Sequence, residues 1–217
     1  YEYTGDWVAG EIAGQGRARF PDGSVYEGRF AAGKPDGQGR ITYPDGATYE
    51  GSWRAGAITG EGTITHADGV IYTGGLRNGA PHGKGRLARP DGFVYEGDWD
   101  EGAQTGQAQV SYPDGTVYTG ALRAGIRHGE GRLETPEGLV YEGGWAEGQM
   151  NGAGRLAQPS GDVYEGTLVN GRREGQGTET YAGGDIYEGS FANDTRHGQG
   201  IFRGVDGYVY EGAWVEG

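Results

Sequence analysis

The chain has 217 residues, 49 of them glycine and none cysteine, which excludes disulfides and thiolate metal sites while leaving cytosol and periplasm equally open. Its 31 acidic and 18 basic side chains give a formal charge of −13. Phosphate backbones and anionic lipid head groups are repelled by such a surface, so neither nucleic acid nor an anionic membrane is the expected partner.

Tyrosine stands at positions 3, 26, 49, 72, 95, 118, 141, 164, 187 and 210, each followed two residues later by glycine. The period of 23 never slips. A strict repeat of this size marks units that stack because none buries a core alone, and it predicts one array over residues 1–217. No apolar run is long enough for a membrane-spanning helix.

The stretch Ser24 to Gly46, SVYEGRFAAGKPDGQGRITYPDG, shows the elements in order. Residues 24–30 alternate, with Tyr26, Gly28 and Phe30 on one face and Val25, Glu27 and Arg29 on the other, which is the signature of a strand. AAGKPDG reads as a loop. Residues 38–43 alternate again, placing Gly39, Ile41 and Tyr43 together. Pro44-Asp45-Gly46 then closes the repeat with strong turn chemistry: proline presets φ, aspartate bonds locally, and glycine takes the left-handed position. Each repeat is a β-hairpin, and the fold class is all-β: an elongated, twisted antiparallel meander of about twenty short strands.

Glycine between tyrosine and the next bulky residue, as in Tyr95-Glu96-Gly97-Asp98-Trp99, leaves a gap on the pleated face that a ring can cover. Ile41, Ile64, Leu87, Val110, Leu133, Leu156 and Phe202 fill the inward slot of the second strand and extend the ring ladder. On the other face, Glu27, Glu50, Glu96, Glu142 and Glu165 neighbour strands carrying Arg17, Arg40, Arg86, Arg132 and Arg155, in position for cross-strand pairs. A 46-residue rhythm overlies the 23. The bulky residue four after tyrosine alternates between an aromatic series (Trp7, Trp53, Trp99, Trp145, Phe191) and one rich in leucine (Leu76, Leu122, Leu168). The loops follow, with Ile12, Ile58 and Met150 against Pro35, Pro81, Arg127 and Arg173.

The block YEGxW or YEGxF, then NG or AG, then HGxG, and finally YPDGxxYEG resembles the MORN repeat and covers essentially the whole chain. The resemblance implies a gutter-like β-meander with aromatic residues along one face. Members of that family include junctional, cytoskeletal and signalling scaffolds, often dimeric, and the family name reflects a proposed membrane role. Some members carry an enzyme domain beside the repeats, and none is visible in this sequence. Five positions depart from the pattern. Asp194 replaces a first-loop glycine, Ala108 replaces a paired glycine, Glu179 occupies an inward aliphatic slot, and Gly204 and Val205 replace the usual residues before Asp206. The last two repeats are therefore candidates for a bend, a cap or a partner contact, with ordinary drift as the alternative.

Signals for chemistry are weak. His82, His128 and His197 share one repeat position, at least two hairpins apart, and read as turn residues rather than metal ligands. Gly-x-Gly recurs in nearly every repeat, which points to backbone geometry and not to a phosphate loop. GAPHGKG around Lys84 is one residue short of a P-loop and lacks the following Ser or Thr. No catalytic residue, metal or cofactor is expected. The rings are needed to hold a single-layer sheet together, and they are also the one constellation with binding potential. Tyr49, Trp53, Tyr95, Trp99, Tyr141 and Trp145 are the candidate partner-binding residues. The leading expectation is a non-enzymatic scaffold that binds a protein or peptide along this face and forms a homodimer through its terminal hairpins. A carbohydrate or cell-envelope binding module is the alternative, and a phospholipid-associated tether, carried by the family name alone, is the third.

Overall fold

The computed structural model describes residues 1–217 and contains 19 strands and no helix. It divides into two compact units, Tyr1–Thr105 and Gly106–Gly217, and the boundary falls in the repeat that carries Ala108. In the first unit, strands run from β1 (Glu2–Val8) through β2 (Glu11–Arg19), β3 (Val25–Ala31), β4 (Lys34–Thr42) and β5 (Thr48–Arg54) to β9 (Val94–Asp100). The second unit takes up β10 (Ala103–Ser111, which starts just before the boundary) and continues through β12 (Ile126–Glu134) and β16 (Arg172–Thr180) to β19 (Val209–Trp214). Within each unit every strand pairs antiparallel with its neighbours in the chain, as a meander of tightly joined hairpins requires.

Two turns generate the repeat. Between β2 and β3, the Gly23 amide donates to the Phe20 carbonyl at 3.0 Å, Gly23 sits at φ 90°, and Asp22 Oδ1 accepts from the Ser24 amide at 2.9 Å. This is the turn that Pro-Asp-Gly predicts. The other connection differs from the expected seven-residue loop. β3 and β4 are joined by only two residues, Ala32 and Gly33, at φ 46° and 73°, the left-handed pair that matches strand twist in a two-residue hairpin. The rest of the expected loop lies inside β4, where the register shifts between Gly28 and Phe30. Arg29 is thus opposed by residues 36–38 in a bulge, with Gly37 at φ 98°. Turns of neighbouring hairpins are also tied together. The Gly33 amide donates to the Ile12 carbonyl at 3.0 Å, and Gly56, Gly79 and Gly102 repeat the bond to Pro35, Ile58 and Pro81.

The core is one ring deep. Gly28 and Gly39 face each other across β3 and β4, and the Tyr26 ring lies over both; a Cβ at Gly39 would collide with it. The Tyr26 hydroxyl donates to the Arg29 carbonyl at 2.9 Å, which uses the strand's own bulge as its partner. Phe30 packs against Tyr26 edge-on at 5.0 Å, and Trp53 from the next repeat does the same at 5.0 Å. Edge-to-face pairs of this kind contribute about 1 kcal/mol each beyond the area they bury. Tyr118, Trp145 and Gly131 reproduce the arrangement in the second unit.

On the opposite face, Arg17–Glu27, Arg86–Glu96 and Arg155–Glu165 form the expected pairs at 3.1, 2.8 and 3.2 Å. Arg40 and Glu50 are register partners without an ion pair, and Arg132 turns to Glu134 instead of Glu142. All of these groups are largely exposed, so each pair contributes a few tenths of a kcal/mol.

Candidate functional site: the ring-bearing groove

The six candidate rings lie on the face that carries the ladder, each tyrosine paired with the tryptophan four residues on: Tyr49–Trp53, Tyr95–Trp99 and Tyr141–Trp145, at 5.5, 5.0 and 5.3 Å. Their exposures separate them into two kinds. Tyr49, Tyr95 and Tyr141 are at 1%, 0% and 0%, whereas Trp53, Trp99 and Trp145 keep 8%, 6% and 5%. Each tyrosine hydroxyl is spent inside the sheet, donating to the carbonyls of Ser52, Asp98 and Gly144. Burial pushes all three hydroxyls up to about 12. The tryptophans donate their indole N–H back to the preceding repeat, to the carbonyls of Gly39, Gly85 and Gly131 at 3.2, 3.2 and 3.1 Å. The tyrosines are therefore sealed, and the tryptophans, though buried, keep a narrow edge open at the groove floor.

What lies above the tryptophans differs between the units. In the first unit a groove of about 650 Å³ crosses three repeats and is lined by Pro35, Ile41, Tyr43, Trp53 and Ile58, with Lys34 and Asn78 at its turns. In the second unit a smaller groove of about 250 Å³ is lined by Arg127, Leu133, Trp145 and Met150, with Asn170 at its turn. Arg127 lays its guanidinium over Trp145, 4.5 Å from the ring centroid, and Arg196 lies 4.4 Å over Trp214. The loop series read from the sequence contains Arg127 and Arg173, but nothing in it shows that these side chains fold back over a ring of the next repeat. That contact depends on the two-residue turn, which puts the arginine opposite Leu122 and beside the following hairpin.

Two of the sequence departures meet at one such arginine. Arg173 packs 5.3 Å over Phe191 and pairs with Glu179, and its Nη2 donates to the Asp194 carbonyl. Asp194 Oδ1 also accepts from the Arg173 amide at 2.8 Å. Glu179 is 7% exposed and accepts a further bond from the Tyr181 hydroxyl at 2.8 Å. The carboxylate in an aliphatic slot is thus compensated by a cation and a hydroxyl, as a buried charge demands. Tyr181 is pushed up to about 12, first by burial and then by this bond. His82 Nδ1 lies 3.2 Å from Asp100, and no group of three or more His, Asp or Glu side chains is gathered in metal-binding proximity.

A family model, the MORN repeat, matches nine consecutive segments from residues 3–25 to residues 187–207. The chain belongs to the MORN repeat family. Among curated proteins, none matches it. Solved structures with a similar fold include the TCP10 domain of Danio rerio CPAP in complex with a peptide of STIL, 12% identical, with 98% of this chain and 100% of that chain covered at a TM-score of 0.50. The TCP domain of Drosophila melanogaster SAS-4 in complex with a proline-rich motif of Ana2 is 15% identical, with 85% and 97% covered at a TM-score of 0.45.

Proposed function

We propose that this MORN-repeat protein is a non-enzymatic scaffold that holds an extended apolar segment of a partner protein along its ring-bearing face. The observation that carries the reading is the groove of about 650 Å³ around Trp53, where Pro35, Ile41 and Ile58 leave an apolar channel across successive hairpins. Its size suits an extended chain, which needs a continuous apolar track with few polar groups to set direction. Two further points support it: the similarly folded Danio rerio CPAP domain is in complex with a peptide of STIL, and Trp53 contributes a rigid anchor at the groove floor. A sugar-binding platform needs an open, flat ring, and the edge-to-face packing of buried rings offers little of one.

Selection of a phage-displayed library of short linear peptides tests the reading. Enriched peptides are expected to bind with a change in tryptophan fluorescence, and Ile58→Lys is expected to weaken them about tenfold, or ~1.4 kcal/mol. Failure to enrich any peptide, or binding indifferent to Ile58→Lys, overturns it.

Self-association through the terminal hairpins belongs to the same proposal. Trp7 is 60% exposed where its internal counterparts are nearly sealed, and Tyr208, Val209 and Tyr210 are 58%, 58% and 38% exposed. A further repeat of the same chain or a second copy would cover these side chains as a neighbour covers those of internal repeats, and light scattering that finds only monomer at high concentration overturns self-association.

A further inference from the structure

On the reading that the ring-bearing face holds an extended segment, we infer that the pocket at Arg127 is a subsite for one carboxylate side chain of a segment lying along that face of the second unit.

The chain itself supplies the comparison. Arg127 and Arg173 occupy the same position two repeats apart, each in the strand that follows a two-residue turn (β12 and β16), each with its guanidinium over an aromatic ring of the next hairpin. Around Arg173 the ligand is built in: Glu179 reaches Nη1 from the aliphatic slot, and Asp194 closes on Nε at 3.5 Å from the turn. Around Arg127 the corresponding residues are Leu133 and Gly148, and no carboxylate of the chain pairs with the guanidinium. Trp145 holds the cation by its face and restricts where it can point, while Leu133, Met150 and Gly148 wall off about 250 Å³ beside it.

A guanidinium held on a ring, half-buried and without an internal partner, matches a planar carboxylate in charge and geometry. The space left by Leu133 and Gly148, relative to Glu179 and Asp194, lies where such a group pairs with the arginine two repeats later. The net charge of −13 sets the chemistry of the rest of the ligand. A run of acids would be repelled by the whole surface, so the fitting segment is extended and largely apolar, with a single Asp or Glu placed to meet Arg127.

The test uses peptides selected on the wild-type protein from the same display library. They are expected to share an acidic residue at constant spacing from their apolar anchors, and changing that acid to its amide is expected to weaken binding about tenfold. The double variant Leu133→Glu, Gly148→Asp copies the Arg173 arrangement and is expected to reject the acidic peptide by the same factor while holding the amide peptide as well as wild type does. Asp194 already adopts φ 68° at the turn position that Gly148 occupies, so the backbone admits this change. Arg127→Gln, with its fold checked by thermal melting, provides the same readout independently. Peptides that bind the groove with no preference for acid over amide, or no discrimination by either variant, overturn the inference and leave the groove intact. If no peptide is enriched, the groove reading falls and the subsite with it.

Discussion

Residues 12, 35, 58, 81 and 104 of the first unit and 127, 150, 173 and 196 of the second occupy one position of the repeat, yet the two units fill it differently. The first set reads Ile, Pro, Ile, Pro, Gln, and its Pro35 and Ile58 line an apolar channel; the second reads Arg, Met, Arg, Arg, and its arginines lie over rings. Beneath them the tyrosine floor recurs. Tyr26 and Tyr118 are both fully buried, each over a glycine of the following strand and each donating to the carbonyl three residues on. The difference shows a division of labour in the repeat: tyrosine, the glycine pair and the two turns maintain the sheet, and the residue after the tight turn is left to determine what the face can bind.

If the scaffold is common to both units, Gly39→Ala and Gly131→Ala must be equally damaging. Each places a methyl group against a tyrosine ring packed for glycine, where Tyr95 is instead built over Ala108, and a loss of about 2–3 kcal/mol is expected from both in chemical denaturation. A gap of more than about 1 kcal/mol between them would break the comparison at its base. Next in size is the contrast between two arginines. Arg173→Met strands the Glu179 carboxylate with only the Tyr181 hydroxyl, at an expected cost of about 2 kcal/mol. Arg127→Met removes a ring contact alone and should cost under about 1 kcal/mol. Equal effects by thermal or urea unfolding would mean that Arg127 has an internal partner after all. The smallest expected effect concerns the tight turn. Ala32 sits at φ 46° and Asn170 holds the same place in the second unit at φ 50°, so Ala32→Asn should stabilise and Asn170→Ala destabilise, each by about 0.5–1 kcal/mol.

Most of the fold was legible because its signals are local. Tyrosine at constant spacing, alternation on both sides of it, and Pro-Asp-Gly are all read within a few residues, and the structure follows them. The tight turn reads in the sequence as a loop of seven residues because Lys34-Pro35-Asp36-Gly37 imitates turn chemistry, whereas Ala32-Gly33 is a weak version of the Asn-Gly pair that announces a two-residue hairpin. The bulge opposite Arg29 absorbs the surplus residues, and no alternation pattern displays that. The alternation puts Tyr49, Trp53, Tyr95, Trp99, Tyr141 and Trp145 on one face, but it does not rank their exposure. That ranking depends on how much of each ring is covered by the next repeat.

The amino-acid order alone determined the 23-residue unit, its hairpin form, the side on which the rings lie and the charge of the surface, since each follows from period, turn propensity or composition. Tertiary structure alone decided that tyrosine is sealed while tryptophan keeps a narrow open edge, and that Glu179 and Asp194 converge on Arg173 while Arg127 keeps an open pocket. These relations join residues from separate strands and successive hairpins. They come into being only when the bulge and the two-residue turn set the register between neighbours.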